Sequence, residues 1–331
     1  MIDQRVVVTG GAGFIGANFL RFMLENHPEY QIVNIDNLSS GVHTSVRELE
    51  GKPNYKFVHD SISDPLAMTR KIEEGDIVIN FAAESHVDTS ITNPTKVFMN
   101  NVSGVQNLLE VAKMKGVKRF VQISTDEVYG SLSISPRDPP STEEDKVRSR
   151  NPYSASKLAG EQLALAYQNT FGLDVVVTRS SNNFGPFQFP EKVIPLFVTN
   201  LMQGRKVPLY GTGENVRDWI YVEDNCEGIW TVTEKGKAGE IYNLGGGNEV
   251  SNFDLTHKIL GLMGYGEESI EYVEDRQGHD LRYALEGRKA MMLGWRPKHD
   301  FSSALESTVE WYNDNEQWWG KLKEDKDRRT S

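Results

Sequence analysis

The segment GGAGFIG at residues 10–16 constrains the fold of this chain more than any other feature of its sequence. It directly follows the β-branched run VVVT at residues 6–9 and opens an amphipathic segment at residues 14–25. Glycines in this spacing allow a tight turn, a close approach of backbone amides to a pyrophosphate, and close helix–strand packing. The N-terminus of the helix also favours phosphate groups electrostatically. The pattern predicts a dinucleotide site, with a merely tight turn as the alternative; its residues are Gly10, Gly13, Phe14, Ile15 and Gly16.

Short β-branched runs alternate with amphipathic segments through the first half of the chain. Strands are predicted at residues 5–9, 31–35, 56–58, 76–81, 119–124 and 174–178. Helices are predicted at residues 14–25, 96–115 and 153–171. This alternation is typical of βαβ units and predicts an α/β fold with a doubly wound parallel sheet of the Rossmann type. In such a sheet, ligands bind beyond the carboxyl ends of the strands.

The rhythm of strands and helices changes after residue 179. Residues 180–195 contain two Asn, one Gly and three Pro, which is typical of a loop. We expect residues 1–180 to form the dinucleotide-binding domain, which regains segments near 217–245. Residues 181–320 are expected to form a smaller mixed α/β lobe for the rest of the ligand, and residues 321–331 a charged tail that frays.

Charge and cysteine content exclude several classes of partner. The 331 residues include 36 basic and 47 acidic side chains, a net charge of −11 at pH 7. Binding to nucleic acids or to membrane surfaces requires a positively charged protein surface, so neither is expected as a partner. The single cysteine, Cys226, allows no internal disulfide, and the sequence begins without a basic leader or a long apolar stretch. We therefore expect a cytosolic protein without a bound metal.

Asp36 indicates which dinucleotide binds. It ends the second predicted strand, 20 residues beyond Gly16, where a carboxylate accepts both ribose hydroxyls and repels a 2′-phosphate. Residues 37–41 contain no Arg that could bind that phosphate, so the expected cofactor is NAD rather than NADP. Further cofactor contacts are expected after neighbouring strands, although these positions also suit ordinary loops: Asn37, Ser39, Asp60, Ser61, Ala82 and Ala83.

Tyr153 and Lys157 form a candidate catalytic pair. They stand four residues apart at a predicted helix start, so their side chains share one face. An ammonium group beside a phenol favours the phenolate, and we expect it to lower the pKa of Tyr153 from about 10 toward neutrality. The phenolate could then act as a base toward a sugar hydroxyl, while the hydroxyl of Thr125 orients the same oxygen. A YxxxK spacing is common by chance and gains weight here from the dinucleotide segment.

Asp126 and Glu127 stand side by side where the fifth predicted strand ends. Adjacent strand residues point to opposite faces, and burial of a carboxylate is costly, so the pair needs a reason. If the strand ends at this point, a turn can bring both side chains to one ligand, where they can act as general acid and general base. A helix N-cap on a solvated turn is the alternative.

These motifs together resemble the extended short-chain dehydrogenase/reductase family. The resemblance rests on TGGAGFIG near the start, YSASK at residues 153–157 and the strand that ends in Thr125, and it extends over nearly the whole chain. Within this family, TDEVYG at residues 125–130 is similar to the dTDP-glucose 4,6-dehydratases, in which the Asp and the Glu are the acid and base of water elimination. Epimerases of the family ordinarily lack this acidic pair.

The resemblance implies a reaction sequence on dTDP-glucose. Tyr153 would take the proton of O4 while NAD receives the hydride of C4, and the resulting 4-ketone would acidify the C5 proton. Glu127 would remove that proton, and Asp126, with a raised pKa, would protonate the departing C6 hydroxyl. The hydride would return to C6 and a proton to C5, which gives dTDP-4-keto-6-deoxyglucose and water.

The resemblance also implies a substrate site and a homodimer. SNNFGPFQFPEK at residues 181–192 looks like the family's SNNYGPYxFPEK, with Phe in place of two Tyr. Where the family carries Thr-Asn, this chain has two Asn, of which Asn100 is expected beside the cofactor. Residues 96–115 and 153–171 could pair across a two-fold axis as a four-helix bundle. The implied substrate contacts are Ser85, Thr125, Asn182, Lys192, Arg217, Asn252, Arg276, His279 and Tyr283.

Two other functions fit part of the pattern. A nucleotide-sugar 4-epimerase, such as UDP-glucose 4-epimerase, needs the same Tyr and Lys but has no use for a paired acid and base. A non-catalytic NAD-sensing protein on the same fold can dispense with the Tyr–Lys pair, which this chain keeps. A preference for thymine over uracil follows from the resemblance alone.

Overall fold

A parallel sheet runs through the larger part of the molecule. The computed structural model describes residues 4–85, 87–135, 138–275 and 279–330. The strands are β1 Gln4–Thr9, β2 Tyr30–Asp36, β3 Tyr55–His59, β4 Ile77–Asn80, β5 Arg119–Thr125, β6 Val175–Ser180, β7 Asn182–Phe184, β8 Val207–Tyr210, β9 Val216–Tyr221, β10 Ile241–Leu244, β11 Glu249–Ser251 and β12 Ile270–Val273. In the described part of the chain, seven of them form one sheet in the order β10-β6-β5-β4-β1-β2-β3. All neighbours in this sheet are parallel.

The central strands of this sheet are buried on both faces. Val6, Val7 and Val8 of β1 are completely shielded from solvent, and β6 is buried along its whole length. Strands that are covered on both faces form continuous apolar runs instead of alternating patterns, and this is the signal that the sequence carries. The predicted α/β fold class with a doubly wound parallel sheet is confirmed, and the observed strands differ from the predicted ones only at their ends.

Helices cover both faces of the sheet. They are α1 Phe14–Asn26, α2 Pro65–Lys71, α3 Val87–Thr92, α4 Pro94–Phe98, α5 Val105–Lys115, α6 Pro152–Phe171, α7 Val193–Met202, α8 Val222–Lys235, α9 Asn252–Met263, α10 Arg288–Met291, α11 Phe301–Asp314 and α12 Glu316–Thr330. α1 and α8 pack on one face, and α2, α5 and α6 pack on the other. Of the helices in the described residues, none is both long and apolar enough to cross a membrane.

The helix predicted at residues 96–115 is interrupted. α4 ends at Phe98, and the π-helical segment Met99–Gly104 separates it from α5. In this segment, the side chain of Asn101 accepts a hydrogen bond from the Glu84 backbone N–H at 2.8 Å and donates one to its carbonyl at 3.0 Å. Apolar periodicity cannot reveal such an interruption, because the segments on either side remain amphipathic. Segments of this kind are frequent at functional sites.

The residues after β6 form most of a second, smaller lobe. β7, β9 and β11 make a mixed sheet, and β8 pairs with β12. Their apolar side chains pack with those of α7, α9, α11 and α12 in a core of their own. The smaller mixed lobe is therefore present as predicted, while β10 lies at the edge of the main sheet beside β6.

Two segments differ from the sequence prediction. Residues 182–184 were expected in a loop, but they form β7 because they pair with β9 in parallel register. The charged residues from 321 onward were expected to fray, but they continue α12. The first turns of this helix are packed on the second lobe: Trp319, just before the run, is buried, and Lys323 Nζ donates to Thr199 Oγ1 at 3.1 Å.

A buried ion pair between α6 and β6 gives a test of the fold. Arg179 Nε donates to Glu161 Oε2 at 3.0 Å, and both side chains are almost fully shielded from water. Glu161→Gln would leave the guanidinium charged and buried without a counter-ion, so we expect the free energy of unfolding to fall by about 3–5 kcal/mol. Urea denaturation measures this quantity.

An exposed pair provides the matched control. Glu48 contacts Arg21 at 2.7 Å with 66% of its side chain exposed. Because solvent screens such pairs, Glu48→Gln should lower the unfolding free energy by at most about 1 kcal/mol. Equal losses in the two variants would contradict the role given to the buried pair.

Candidate active site

A cavity lies at the edge of the main sheet where β1, β4, β5 and β6 end. Phe81 follows β4 and Ser180 ends β6, and both line this cavity, as ligand sites in such sheets require. Part of its lining comes from the second lobe, from residues around Asn182. Most residues singled out from the sequence share this one cavity: Gly10, Gly13, Phe14, Ile15, Gly16, Asp36, Asn37, Ser39, Asp60, Ala82, Ala83, Ser85, Asn100, Thr125, Asp126, Glu127, Tyr153, Lys157, Asn182 and Lys192.

Arg217 and Tyr283 lie outside the lining of this cavity. The guanidinium of Arg217 sits 4.7 Å from the centre of the Tyr283 ring and donates to the backbone carbonyls of Val216 at 2.8 Å and Asp280 at 2.9 Å. Burial raises the pKa of Glu127 and the charge of Arg217 opposes that rise, so Arg217 lies within electrostatic reach of the site. The structure therefore places Arg217 beside the cavity with its hydrogen bonds directed at the backbone.

Three more of the expected contacts do not reach the cavity lining. Ser61 Oγ accepts from Asn37 Nδ2 at 3.5 Å and from a backbone N–H of its own loop. Asn252 begins α9, and its backbone N–H donates to the carbonyl of residue 215. His279 Nδ1 lies 2.7 Å from the carboxylate of Asp275. Arg276, the remaining expected contact, lies outside the described residues.

The glycine turn has the shape that a bound pyrophosphate needs. A Cβ on Gly10, whose φ is +73°, would lie 2.5 Å from the backbone nitrogen of Ala82. A Cβ on Gly16 would lie 2.5 Å from the carbonyl oxygen of Gly10. Gly13 is the N-cap of α1, and no side chain caps this helix, so its first backbone N–H groups point toward the cavity end of the turn. The turn can therefore hold an anionic group without any side chain in the way.

Asp36 is held rigidly at the end of β2. Its carboxylate accepts hydrogen bonds from the backbone N–H of Ala12 at 2.9 Å and of Leu38 at 2.7 Å. Burial raises the pKa of Asp36, while these two backbone donors oppose that rise. A carboxylate has about four acceptor positions, so the two used by the backbone leave capacity for the two hydroxyls of a ribose. The residues of this turn therefore fit a dinucleotide with an unmodified ribose.

The backbone at the end of β5 explains why two acidic residues reach one cavity. Thr125 is the last extended residue, and a short 3₁₀ turn, Asp126–Tyr129, begins immediately after it. Thr125 Oγ1 accepts a hydrogen bond from the Glu127 backbone N–H at 3.3 Å and so caps this turn. The tighter winding replaces the alternation of a strand, and both carboxyl groups line the cavity.

The two carboxyl groups have different surroundings. Burial, the charge of Glu127 and the charge of Asp218 raise the pKa of Asp126 well above its usual range. Burial also raises the pKa of Glu127, but a hydrogen bond from Asn151 at 3.2 Å and the charge of Lys192 oppose that rise. Asp126 is therefore the better proton donor and Glu127 the better base, which is the division of roles that the sequence suggests.

Tyr153 and Lys157 share the first turns of α6 and both line the cavity. Lys157 Nζ donates to the carbonyl of Ile123 at 2.6 Å, and burial lowers its pKa to about 8. Burial and the charges of Glu127 and Asp126 raise the pKa of Tyr153 above 10. The expected lowering of the phenol pKa is therefore wrong, because burial is the largest cause of the rise and the two carboxyl groups add to it.

The protein family to which the chain is similar agrees with this arrangement of acidic residues. A family model described as GDP-mannose 4,6 dehydratase matches residues 7–308, which is most of the chain. The chain belongs to this dehydratase family. The dehydratase resemblance read from TDEVYG is thereby confirmed.

Individual relatives agree with the dehydratase family. The dTDP-glucose 4,6-dehydratase of Streptomyces antibioticus is 46% identical over 327 residues, which are 97% of this chain and 96% of that protein. The structure of DesIV, a dTDP-glucose 4,6-dehydratase from Streptomyces venezuelae with NAD and TYD bound, is 44% identical, with a TM-score of 0.93 over 96% of this chain and 100% of that one. A UDP-glucose 4-epimerase from Thermotoga maritima is 31% identical, with a TM-score of 0.86 over 94% and 99% of the two chains.

Sequence reasoning missed part of the cavity lining. Several of the missed residues lie between the end of β6 and the segment after β7, where a loop was expected and no charged group marks a role. Position directly after a strand of the sheet is the signal that could have found the first of them. They include Ser180, Ser181, Asn183, Gln188 and Phe189.

The lowered pKa of Lys157 predicts a pH effect on the stability of this dehydratase. Burial lowers the pKa from 10.5 to about 8, so between these values the unfolded chain binds more protons than the folded chain. Stability rises with pH wherever the unfolded state binds more protons. The free energy of unfolding should therefore rise between pH 8 and pH 10.5. Lys157→Met should lose the part of this rise that comes from Lys157.

Urea denaturation at pH 8 and pH 10 measures this difference. Lys237→Met is the control, because 82% of the Lys237 side chain is exposed. This control should keep the pH dependence of the unmodified chain. An identical pH dependence in Lys157→Met would show that the buried ammonium does not titrate as described.

Proposed function

We propose that the chain catalyses the NAD-dependent dehydration of dTDP-glucose to dTDP-4-keto-6-deoxyglucose and water. The observation that carries the proposal is the presence of Asp126 and Glu127 in one cavity with Tyr153. Oxidation at a sugar carbon needs a base, and elimination of water needs a further acid and base at the same time. Relatives named dTDP-glucose 4,6-dehydratase support the substrate.

The glycine turn and Asp36 are proposed to hold the cofactor. Backbone N–H groups at the start of α1 would bind the pyrophosphate, and Asp36 would accept the ribose hydroxyls. Bound NAD supplies a hydride acceptor at C4 of the sugar and later a hydride donor at C6. The side chains and backbone of the remaining cavity residues would surround it: Asn37, Ser39, Asp60, Ala82, Ala83 and Asn100.

Tyr153 is proposed to remove the proton of the sugar O4. Thr125 interacts with the Tyr153 phenol and would orient the same substrate oxygen. Lys157 Nζ donates to the Ile123 carbonyl, and its ammonium form would add positive charge to the same cavity. In this arrangement Thr125 and Lys157 position the base, and Tyr153 carries the proton.

Glu127 and Asp126 are proposed to complete the elimination. Glu127 removes the C5 proton, since Asn151 and Lys192 favour its charged form. Asp126 protonates the departing C6 hydroxyl, since burial and neighbouring carboxylates favour its protonated form. The two protons are handled at the same moment by groups in opposite protonation states. A 4-epimerase would need Tyr153 and Lys157 but has no use for this pair.

The rest of the nucleotide sugar is proposed to extend toward the second lobe. Lys192 and Asn182 line the cavity there, and Lys192 Nζ donates to the carbonyl of Ser85 at 3.4 Å. Arg217 would add positive charge for the diphosphate, because a guanidinium keeps its charge even when buried. The nucleoside contacts inferred from the family pattern are Asn252, Arg276, His279 and Tyr283.

Glu127→Gln separates oxidation from elimination. With dTDP-glucose deuterated at C4 and no added cofactor, the unmodified enzyme should deliver deuterium to C6 of the keto sugar, with solvent hydrogen at C5. The variant should still reduce bound NAD but release about 100-fold to 10,000-fold less product, because general base catalysis is lost. Absorbance at the nicotinamide band and mass spectrometry of the product check these outcomes.

The exposed Glu144 provides the matched control for this substitution. Glu144→Gln should turn over normally, because its side chain lies outside the cavity. Normal turnover of Glu127→Gln would contradict the proposal that Glu127 removes the C5 proton. A product epimerised at C4 and still carrying its C6 hydroxyl would support the epimerase instead.

We also infer a homodimer through the helices at residues 96–115 and 153–171. α5 and α6 pack against one another, and apolar side chains on or beside them are half exposed, among them Phe98, Met114 and Phe171. Exposed apolar patches of this kind mark association surfaces. A cytosolic setting is consistent with the free, buried thiol of Cys226.

We likewise assign residues 1–180 with β10 to cofactor binding and residues 181–320 to the nucleotide sugar.

Solution scattering at micromolar concentration tests the dimer. The unmodified chain should show the mass of two copies. Phe98→Glu places a charge on the proposed interface and should shift the mass toward one copy, because an uncompensated charge is costly in an interface. Met292, exposed by 82% outside these helices, is the control, and Met292→Glu should remain dimeric. A single-copy mass for the unmodified chain would contradict the inference.

A further inference from the structure

The segment between β7 and α7 has an unusual backbone. Gly185 has φ of +145°, and a Cβ at this position would lie 2.6 Å from the side chain of Val222. Phe187, two residues later, has φ of +64°. Only a few per cent of residues other than glycine adopt the left-handed region, and bulky side chains rarely do so. Such strain persists only where the surroundings determine the conformation, and it concentrates at ligand sites.

The ring of Phe187 is held between two distant parts of the chain. On one side, the guanidinium of Arg21 in α1 lies 3.8 Å from the ring centre. On the other side, the indole rings of Trp311 and Trp318, in α11 and α12, lie 4.7 Å and 5.6 Å from it. Arg21 itself donates to the carbonyl of Ser45 at 2.7 Å, so it cannot follow the ring if the ring moves. These contacts hold Phe187 in its strained conformation.

The backbone on either side of Phe187 is held as well. Asn18 Nδ2, also in α1, donates to the carbonyl of Pro186 at 2.9 Å. The hydroxyl of Tyr312, in α11, donates to the carbonyl of Gln188. Residues 186 to 188 are therefore fixed from the cofactor side and from the second lobe together.

Gln188 is the residue that this rigid backbone presents to the cavity. Its side chain lines the cavity but is only 7% exposed. Its Nε2 donates to the carbonyl of Asn183 at 2.9 Å, which determines the orientation of the amide. Its Oε1 is buried and has no hydrogen-bond partner among the described residues. An unpartnered buried acceptor is costly, so a nearby donor on a ligand would be favourable.

We propose that Gln188 is a further ligand-binding residue whose Oε1 accepts a hydrogen bond from a sugar-ring hydroxyl, and that Phe187 is the positioning residue that holds it there. The hydroxyl can come from a ribose of the dinucleotide or from the hexose of the substrate, since both molecules carry this donor. The inference rests on the proposed function only if the hydroxyl belongs to the hexose of the substrate. The strained backbone is then explained, because relaxation of Phe187 would turn the Gln188 amide away from the cavity.

Gln188→Met tests the ligand contact, because it keeps the length of the side chain and removes the acceptor. We expect about 3-fold to 10-fold weaker binding of one ligand, the usual effect of one hydrogen bond. A raised dissociation constant for NAD, measured by calorimetry without substrate, identifies the ribose. A raised KM for dTDP-glucose with unchanged NAD binding identifies the hexose. Gln203→Met, on an exposed residue after α7, should change neither.

Phe187→Leu tests the positioning role through a double-mutant cycle. It should weaken the same ligand as Gln188→Met, and the combined variant should bind about as weakly as Gln188→Met alone, because Phe187 acts through Gln188. Phe187→Tyr keeps the aromatic contacts and should bind like the unmodified chain. Independent effects that multiply would overturn the positioning role. Should Phe187→Leu fail to fold, the cycle between Gln188→Met and Trp318→Phe takes its place.

Two outcomes separate this inference from the proposed function. If the unmodified chain forms no keto sugar from dTDP-glucose, the proposed function fails, and the NAD titration alone decides the role of Gln188. If the unmodified chain is active and Gln188→Met matches it in both NAD affinity and KM, the inference about Gln188 is wrong while the proposed function stands.

Discussion

Two neighbouring carboxyl groups kept away from water are the constraint on which the rest of the site depends. Both cannot be ionised there without large cost, so the pair favours one proton shared unequally between them. The end of β5 at Thr125 creates this arrangement, because the following 3₁₀ turn brings both side chains to one cavity. Asn151 and Lys192 then favour negative charge on Glu127, and the proton remains with Asp126.

The same carboxyl groups act on Tyr153. Their charges and its burial keep the phenol protonated in the chain by itself. In the proposed reaction, positive charge near the phenol would favour removal of the sugar proton, and an oxidised nicotinamide ring would supply such a charge. Lys157 Nζ donates to the Ile123 carbonyl, so this side chain supports the site and is not the sole source of positive charge.

Features that depend on a few adjacent residues could be predicted from the sequence. The glycine turn, Asp36 and the strands of the main sheet are of this kind, and each is found where its pattern indicates. Features that depend on distant partners could not be predicted. Arg217 carries the right charge for a diphosphate, but the ring of Tyr283 and the carbonyl of Asp280, more than sixty residues away, determine where it lies. The π-helical interruption after α4 likewise depends on a contact between Asn101 and the distant Glu84 backbone.

The contact of Phe187 with both Arg21 and Trp318 has a consequence for how the chain folds during its synthesis. On a ribosome, the glycine turn emerges early, and the main sheet can begin to form while translation continues. The ring of Phe187 meets only part of its surroundings until α12 has left the exit tunnel. A nascent chain stalled before that helix would contain most of the main sheet but lack the contact of Phe187 with Trp318, so this wall of the cavity would be complete only after α12 has been synthesised.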